Sequence, residues 1–359
     1  MRLSRLRTHR PSRSIPHRLH VALFLLAAAV IAQAQGADTF TNPVLDTGPD
    51  PWVMTWKGFY YYMNTTGANL TVWKTRDLSE LRHAEKKIVW TPEPGQPWSH
   101  DIWAPELHRW GNNWYIYFAA DAGKNDTHRI YVVENPSDDP LEGQWTLKGK
   151  VSDATDRWAI DVDLFELHGE HYMLWSGWRG TENGEQDIFI AHMSNPWTID
   201  SPRTLISYPL YIWEQQGDLP QRHINVNEGP EALIHGDKVF VVYSSSACWT
   251  DFYELGIIEA SSDSNLLDPA SWKKFDHPFF HEDPKASVFA PGHNGFFKSP
   301  DGKQDWIIYH ANSASGQGCG KTRSPRMQPF TWNPDGTPNF GTPIPTGQPI
   351  AKPSRLGPL

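Results

Sequence analysis

The chain has only two cysteines in 359 residues, Cys248 and Cys319, and no C-x-x-C pair. Zinc ribbons and dithiol redox centres therefore lack their ligands. A glycine-rich phosphate loop and a G-x-S-x-G turn are also missing, which removes nucleotide-dependent transfer and serine hydrolysis from consideration. His277 and His281 have i, i+4 spacing, but Pro278 between them forbids the helix that would align two metal ligands. No apolar run reaches the ~18 residues of a membrane span.

The apolar run that does stand out has twelve residues, Val21–Ala32. Residues 1–18 before it carry six Arg and no acid, and Ala32-Gln33-Ala34 supplies small residues at its exit. This combination predicts a secretory signal peptide over 1–34 and a mature exported chain over 35–359, with no membrane contact after cleavage. Without those six arginines, 26 basic residues face 41 acidic ones, a net charge of −15. Such a balance argues against nucleic acid or an anionic membrane as partner. In an exported chain the two cysteines can form a disulfide; two separate buried thiols are the other reading, and the sequence leaves both open.

Helical periodicity is scarce, and strand signals fill its place. Val53-Met54-Thr55-Trp56 turns at Lys57-Gly58 into Phe59-Tyr60-Tyr61-Tyr62-Met63. The same unit of entering strand, polar turn and aromatic return strand recurs at Gly111-Asn112, His168-Gly169, Gly236-Asp237 and Ser299-Pro300-Asp301-Gly302. Units opening near residues 50, 103, 161, 228 and 292 predict an all-β, single-domain, five-bladed β-propeller. A two-sheet sandwich with decorated loops is the alternative. The eighteen Trp residues suit both blade packing and sugar faces, and composition does not separate the two uses.

Three of these units open on an acid: Asp50 in Gly48-Pro49-Asp50-Pro51, Asp161 in Ile160-Asp161-Val162-Asp163, and Glu228 in Asn227-Glu228-Gly229-Pro230-Glu231. The innermost strand of a propeller blade lines the central channel, so acids at these places can converge at one mouth. An acid among apolar strand residues is costly unless it faces a polar cavity. Each one alone reads as a turn cap or ion-pair member; three at equivalent places in a repeat point to a site. Two carboxyls across a sugar can hydrolyse a glycosidic bond.

With Trp103-Ala104-Pro105-Glu106 and Pro291-Gly292-His293 added, these ordered motifs resemble glycoside hydrolase family 43, over nearly all of the mature chain. The resemblance implies an inverting hydrolase with Asp50 as general base, Glu228 as general acid, and Asp161 as a third acid that raises the pKa of Glu228 and orients it. Glu231 and Asp163 compete for these roles. In a regular strand Asp163 points the same way as Asp161, which makes it a candidate substrate contact. His293 resembles the histidine that approaches a central calcium or sodium ion, although Ala290 stands where the family motif has glycine. Arg323 or Arg326 is expected at the pocket, and Trp103 and Trp175 are candidate sugar platforms or blade core. No cofactor is implied for the chemistry. Trp213-Glu214, Tyr243-Ser244-Ser245-Ser246, Tyr253-Glu254-Leu255-Gly256 and Tyr309-His310-Ala311 carry a finer resemblance to exo-acting α-L-arabinofuranosidases. The expectation is a secreted monomer that releases terminal α-L-arabinofuranose from arabinan or arabino-oligosaccharides, with an arabinose- or xylose-containing plant polysaccharide or oligosaccharide as its partner. A β-xylosidase of the same fold and a non-catalytic carbohydrate-binding propeller are the alternatives.

Overall fold

Two-residue turns set the local architecture of the computed structural model, which describes residues 38–355. Lys57 and Gly58 both take positive φ (49° and 75°), as do His168 and Gly169 (54° and 85°). Turns of this hand match the twist of the strands they join. They pair Trp52–Trp56 with Phe59–Met63 and Ala159–Leu167 with Glu170–Gly177. The signal peptide expected over 1–34 lies outside the described residues. From Phe40 onward the chain is one compact unit.

The protein is all-β, with about half of its residues in strands. Helical segments among the described residues are short 3₁₀ turns. One four-stranded sheet holds Trp52–Trp56, Phe59–Met63, Leu70–Thr75 and Glu85–Trp90. A second holds His100–Trp110, Asn113–Asp121, Arg129–Asn135 and Thr146–Val151. A third begins at Phe289–Lys298 and continues through Asp305–Asn312 and Ser324–Trp332 to Pro338–Asn339. Between these in sequence lies a nine-stranded sheet. Its two antiparallel halves open on Ala159–Leu167 and Asn225–His235, and join through a short parallel contact, Glu185 with Asn225 and Gln186 with Val226.

Both faces of these sheets are buried, which is why the return strands are continuously aromatic rather than alternating. Tyr61 and Met63 pack with Trp114 and Phe118 of the second sheet, while Tyr60 and Tyr62 pack with Phe297 and Trp306 of the last. Each large side chain buried this way stabilises by about 1.5–3 kcal/mol. Other apolar clusters join Tyr117 to Met173, Leu174 to Val241, and Val242 to Ile307. Packing therefore runs from each sheet or half-sheet to the next, and from the last back to the first.

Each strand that opens a sheet or half-sheet carries a left-handed residue in or beside it. These are Asp50 (φ 56°), Ala104 (42°), Asp161 (54°), Gly229 (53°) and His293 (47°). In four of the five the pairing register slips across that residue: between Trp103 and Glu106, Ile160 and Asp163, Glu228 and Glu231, and Gly292 and Gly295. A bulge of this kind bends the strand and re-aims its side chains.

Candidate active site

Asp50, Asp161 and Glu228 line one cavity of about 360 Å³, shared with Thr65, Trp103, His293 and Arg323. Trp103 rests against His128, ring centroids 4.2 Å apart. The bulges make this convergence possible, because they turn side chains of otherwise buried strands towards a common space.

The three carboxyls are held differently. Arg323 Nη1 donates to Asp50 Oδ1 at 2.8 Å, and His293 Nδ1 lies 3.4 Å from the same oxygen. Burial would raise the pKa of Asp50, but the charge of Arg323 and a hydrogen bond from Thr65 hold it well below the usual carboxylate range. The Asp50 backbone N–H donates to His310 Nδ1 at 3.0 Å, fixing the proton of that buried neutral imidazole on Nε2. Thr65 Oγ1 also accepts from the N–H of Ala104 at 2.7 Å, which orients it.

Glu228 is the counterpart. Burial, helped by the negative charge of Asp50, pushes its carboxyl up to about 7, although the Tyr253 hydroxyl donates to Oε1 at 2.9 Å and pulls the other way. Gly292 allows that contact: a Cβ there would lie 2.3 Å from the Tyr253 ring. Asp161 Oδ2 accepts the Gly229 N–H at 3.0 Å. Burial, then repulsion from Glu228, raises its pKa well above the usual carboxylate range. Asp161 and Glu228 repel one another and so titrate as a pair.

Three expected contacts are corrected. Asp163 does not face the cavity; the bulge between Ile160 and Asp163 breaks the strict alternation that would have put it beside Asp161. Its Oδ2 accepts the Ala232 N–H at 2.8 Å, and with Glu106 and His108 it forms a separate cluster in which Glu231 also stands against Glu106. Trp175 is core, stacked on Phe189 with ring centroids 5.8 Å apart. Arg326 is fully buried and donates to Thr346 Oγ1 and Ser313 Oγ, away from the carboxyls. Cys248 and Cys319 form a disulfide, Cα atoms 5.2 Å apart, in the cavity rim. Thr65 is not marked by any sequence motif. Tyr253 and His310 sat in quoted motifs, but nothing in those motifs tells a carboxyl partner from a packed ring.

The residues around His293 do not by themselves fit calcium or sodium. Hard cations take six to eight oxygens, whereas the His293 imidazole meets a single carboxylate oxygen already paired with Arg323. Among the described residues, the His, Asp and Glu side chains that converge closely enough to hold an ion are Glu106, His108 and Asp163. Hydrolysis by two carboxyls consumes only water and needs no cofactor.

Two carboxyls whose surroundings push their pKa values apart, lining one cavity, can together hydrolyse a glycosidic bond. Residues 40–338 match the model of the glycosyl hydrolases family 43. An extracellular exo-alpha-(1->5)-L-arabinofuranosidase of Streptomyces avermitilis is 36% identical over 328 residues, covering 89% of this chain and 67% of that protein. A protein of the same description from Streptomyces chartreusis is 34% identical over 76% of this chain and 82% of its own length. Among solved structures, an alpha-L-arabinofuranosidase from Lactobacillus brevis superposes with a TM-score of 0.80 at 33% identity, over 86% of this chain and 98% of that one. The chain belongs to glycosyl hydrolases family 43 and is a glycosidase.

Proposed function

We propose that the protein releases terminal α-L-arabinofuranose from arabinan or arabino-oligosaccharides, with inversion at the anomeric carbon. One observation carries the mechanism: Asp50, bonded to Arg323, and the buried Glu228 line one cavity, and these surroundings push the two carboxyl pKa values in opposite directions. Glu228, holding its proton up to about pH 7, gives it to the leaving glycosidic oxygen as that bond breaks. Asp50, kept ionised by Arg323, takes a proton from the water whose oxygen bonds to the anomeric carbon. Asp161 holds the Gly229 N–H beside Glu228 and repels that carboxyl, so the two retain a proton as a pair. Exchange of both protons with solvent resets the pair. Any ion beside His293 would need water for most of its shell, and no step depends on it.

The relatives' printed activity supports the arabinofuranoside as substrate, and "extracellular" in two of those names supports export. The fold we infer is a five-bladed propeller, supported by the recurring four-stranded units and by apolar packing that returns from the last sheet to the first. The test is hydrolysis of p-nitrophenyl α-L-arabinofuranoside against the β-D-xyloside, with the product anomer from an arabino-oligosaccharide followed by ¹H NMR. Preference for the xyloside, or a product of retained configuration, would overturn the reading.

A further inference from the structure

Three carboxamides that the mechanism does not use line the cavity, Asn125, Asn183 and Gln186, and the last two stand out. Gln186 is 8% exposed, and its Oε1 is fully enclosed without a hydrogen-bond partner; Oδ1 of Asn183 is in the same state. Buried polar atoms are paired in the great majority of cases, so each exception calls for a reason. The carboxyls sharing this cavity have such partners: Asp50 has Arg323, Asp161 the Gly229 N–H, and Glu228 the Tyr253 hydroxyl. Two amides whose carbonyl oxygens lack a partner, in the lining of one polar cavity, are groups suited to a ligand.

Their position says which part of the ligand. Gln186 lies in register with Val226, two residues before Glu228, on the flank of the strand that carries the acid. Asp50 and its partner Arg323 come from the first and last sheets instead. The cavity thus has a base wall and an acid wall, and the leaving sugar departs from the acid wall because Glu228 protonates its oxygen. A carboxamide has both a donor and an acceptor, which matches a sugar hydroxyl. It is also neutral, so it recognises hydroxyls without adding a charge beside Glu228.

We propose that Asn183 and Gln186 form a leaving-group subsite that hydrogen-bonds hydroxyls of the sugar unit from which the terminal pentose is cut. This rests on the roles assigned above to Asp50 and Glu228. The experiment compares kcat/KM for an arabino-oligosaccharide with that for p-nitrophenyl α-L-arabinofuranoside, whose leaving group has no sugar hydroxyls. Gln186→Met keeps the side-chain length and removes both polar atoms; Asn183→Ala, at a half-buried position, provides a second variant if the first folds poorly. Each variant is expected to lose about 10-fold on the oligosaccharide, the factor carried by one hydrogen bond of ordinary strength. The change on the aryl glycoside should stay below about 2-fold. Equal losses on both substrates would overturn the subsite and place these amides on the released pentose or on the catalytic geometry. Full activity of both variants on both substrates would overturn it as well. Wild-type protein inactive on both substrates would instead sink the proposed function, on which the subsite rests.

Discussion

Replacing Tyr253 by Phe should make the protein work at higher pH. The Tyr253 hydroxyl donates to Glu228 Oε1 at 2.9 Å inside a closed site, and a donor to a carboxylate favours its charged form. A hydrogen bond to a charged group contributes about 1.5–3 kcal/mol, and one pKa unit corresponds to about 1.4 kcal/mol. Loss of the hydroxyl therefore raises the Glu228 pKa by about one unit once partial replacement by water is allowed for. Phe keeps the ring parallel to His310, whose centroid lies 5.6 Å away, so packing changes little. The assay is kcat/KM on an arabino-oligosaccharide, whose poor leaving group needs the proton, across about pH 4 to 9. The alkaline limb reports the acid in the free enzyme, and it should move from about 7 to about 8, with loss on the plateau of less than about 10-fold. A limb that stayed in place or moved to lower pH would refute the role given to Glu228.

Asp161→Asn should move the same limb down, because the proton held by the Asp161–Glu228 pair is no longer retained by the repulsion between the two carboxyls. Glu228→Ala should retain far more activity on dinitrophenyl than on natural arabinosides, whereas Asp50→Ala should lose both and gain nothing from azide; equal responses of the two variants would rule out the split into acid and base. Replacing Cys248 and Cys319 by Ser opens a cross-link between residues 71 apart. By chain entropy this costs about 4 kcal/mol, and calorimetry should register about 6 °C lower Tm. The share of thermal stability that Asp163 and Glu254 contribute should fall as pH rises from about 4 to 8. Asp163 and Glu254 are pushed by burial up to about 7 and about 8, so the stability tied to their protons is present below the unfolded-state pKa and lost as pH passes through the folded one. Asp163→Asn should flatten that slope in a calorimetric pH series.

The hairpins were legible because their signal is local: Lys57-Gly58 and His168-Gly169 dictate a turn whatever surrounds them. Asp50, Asp161 and Glu228 were legible because they recur at the openings of repeated units, and they do share one cavity. The errors arose where a side chain's direction depends on distant partners. Asp163 was misread because a bulge shifts the register without a glycine or proline at Asp161 to announce it. Trp175 and Arg326 lie on strands whose two faces are both buried, so alternation cannot separate a cavity wall from an interior contact. Cys248 and Cys319 meet through loops of neighbouring sheets, a pairing that spacing alone does not determine.

The left-handed residues at the opening strands bear on how the protein can be stabilised. Positive φ costs an ordinary L-residue about 1–2 kcal/mol, while glycine takes it freely and asparagine more easily than most. Ala104 (φ 42°) carries no acid and only its N–H serves the site, through Thr65, a group that glycine also has, so Gly is a candidate for improving the fold at little loss of function. At Asp50 and Asp161 the strained backbone carries the acids, and relaxing it removes the chemistry. Selection for heat resistance alone should therefore favour Gly at those two positions and yield a tougher, inert protein. Stability screens on this chain need an activity readout at every round, because torsion and catalysis share the same two residues.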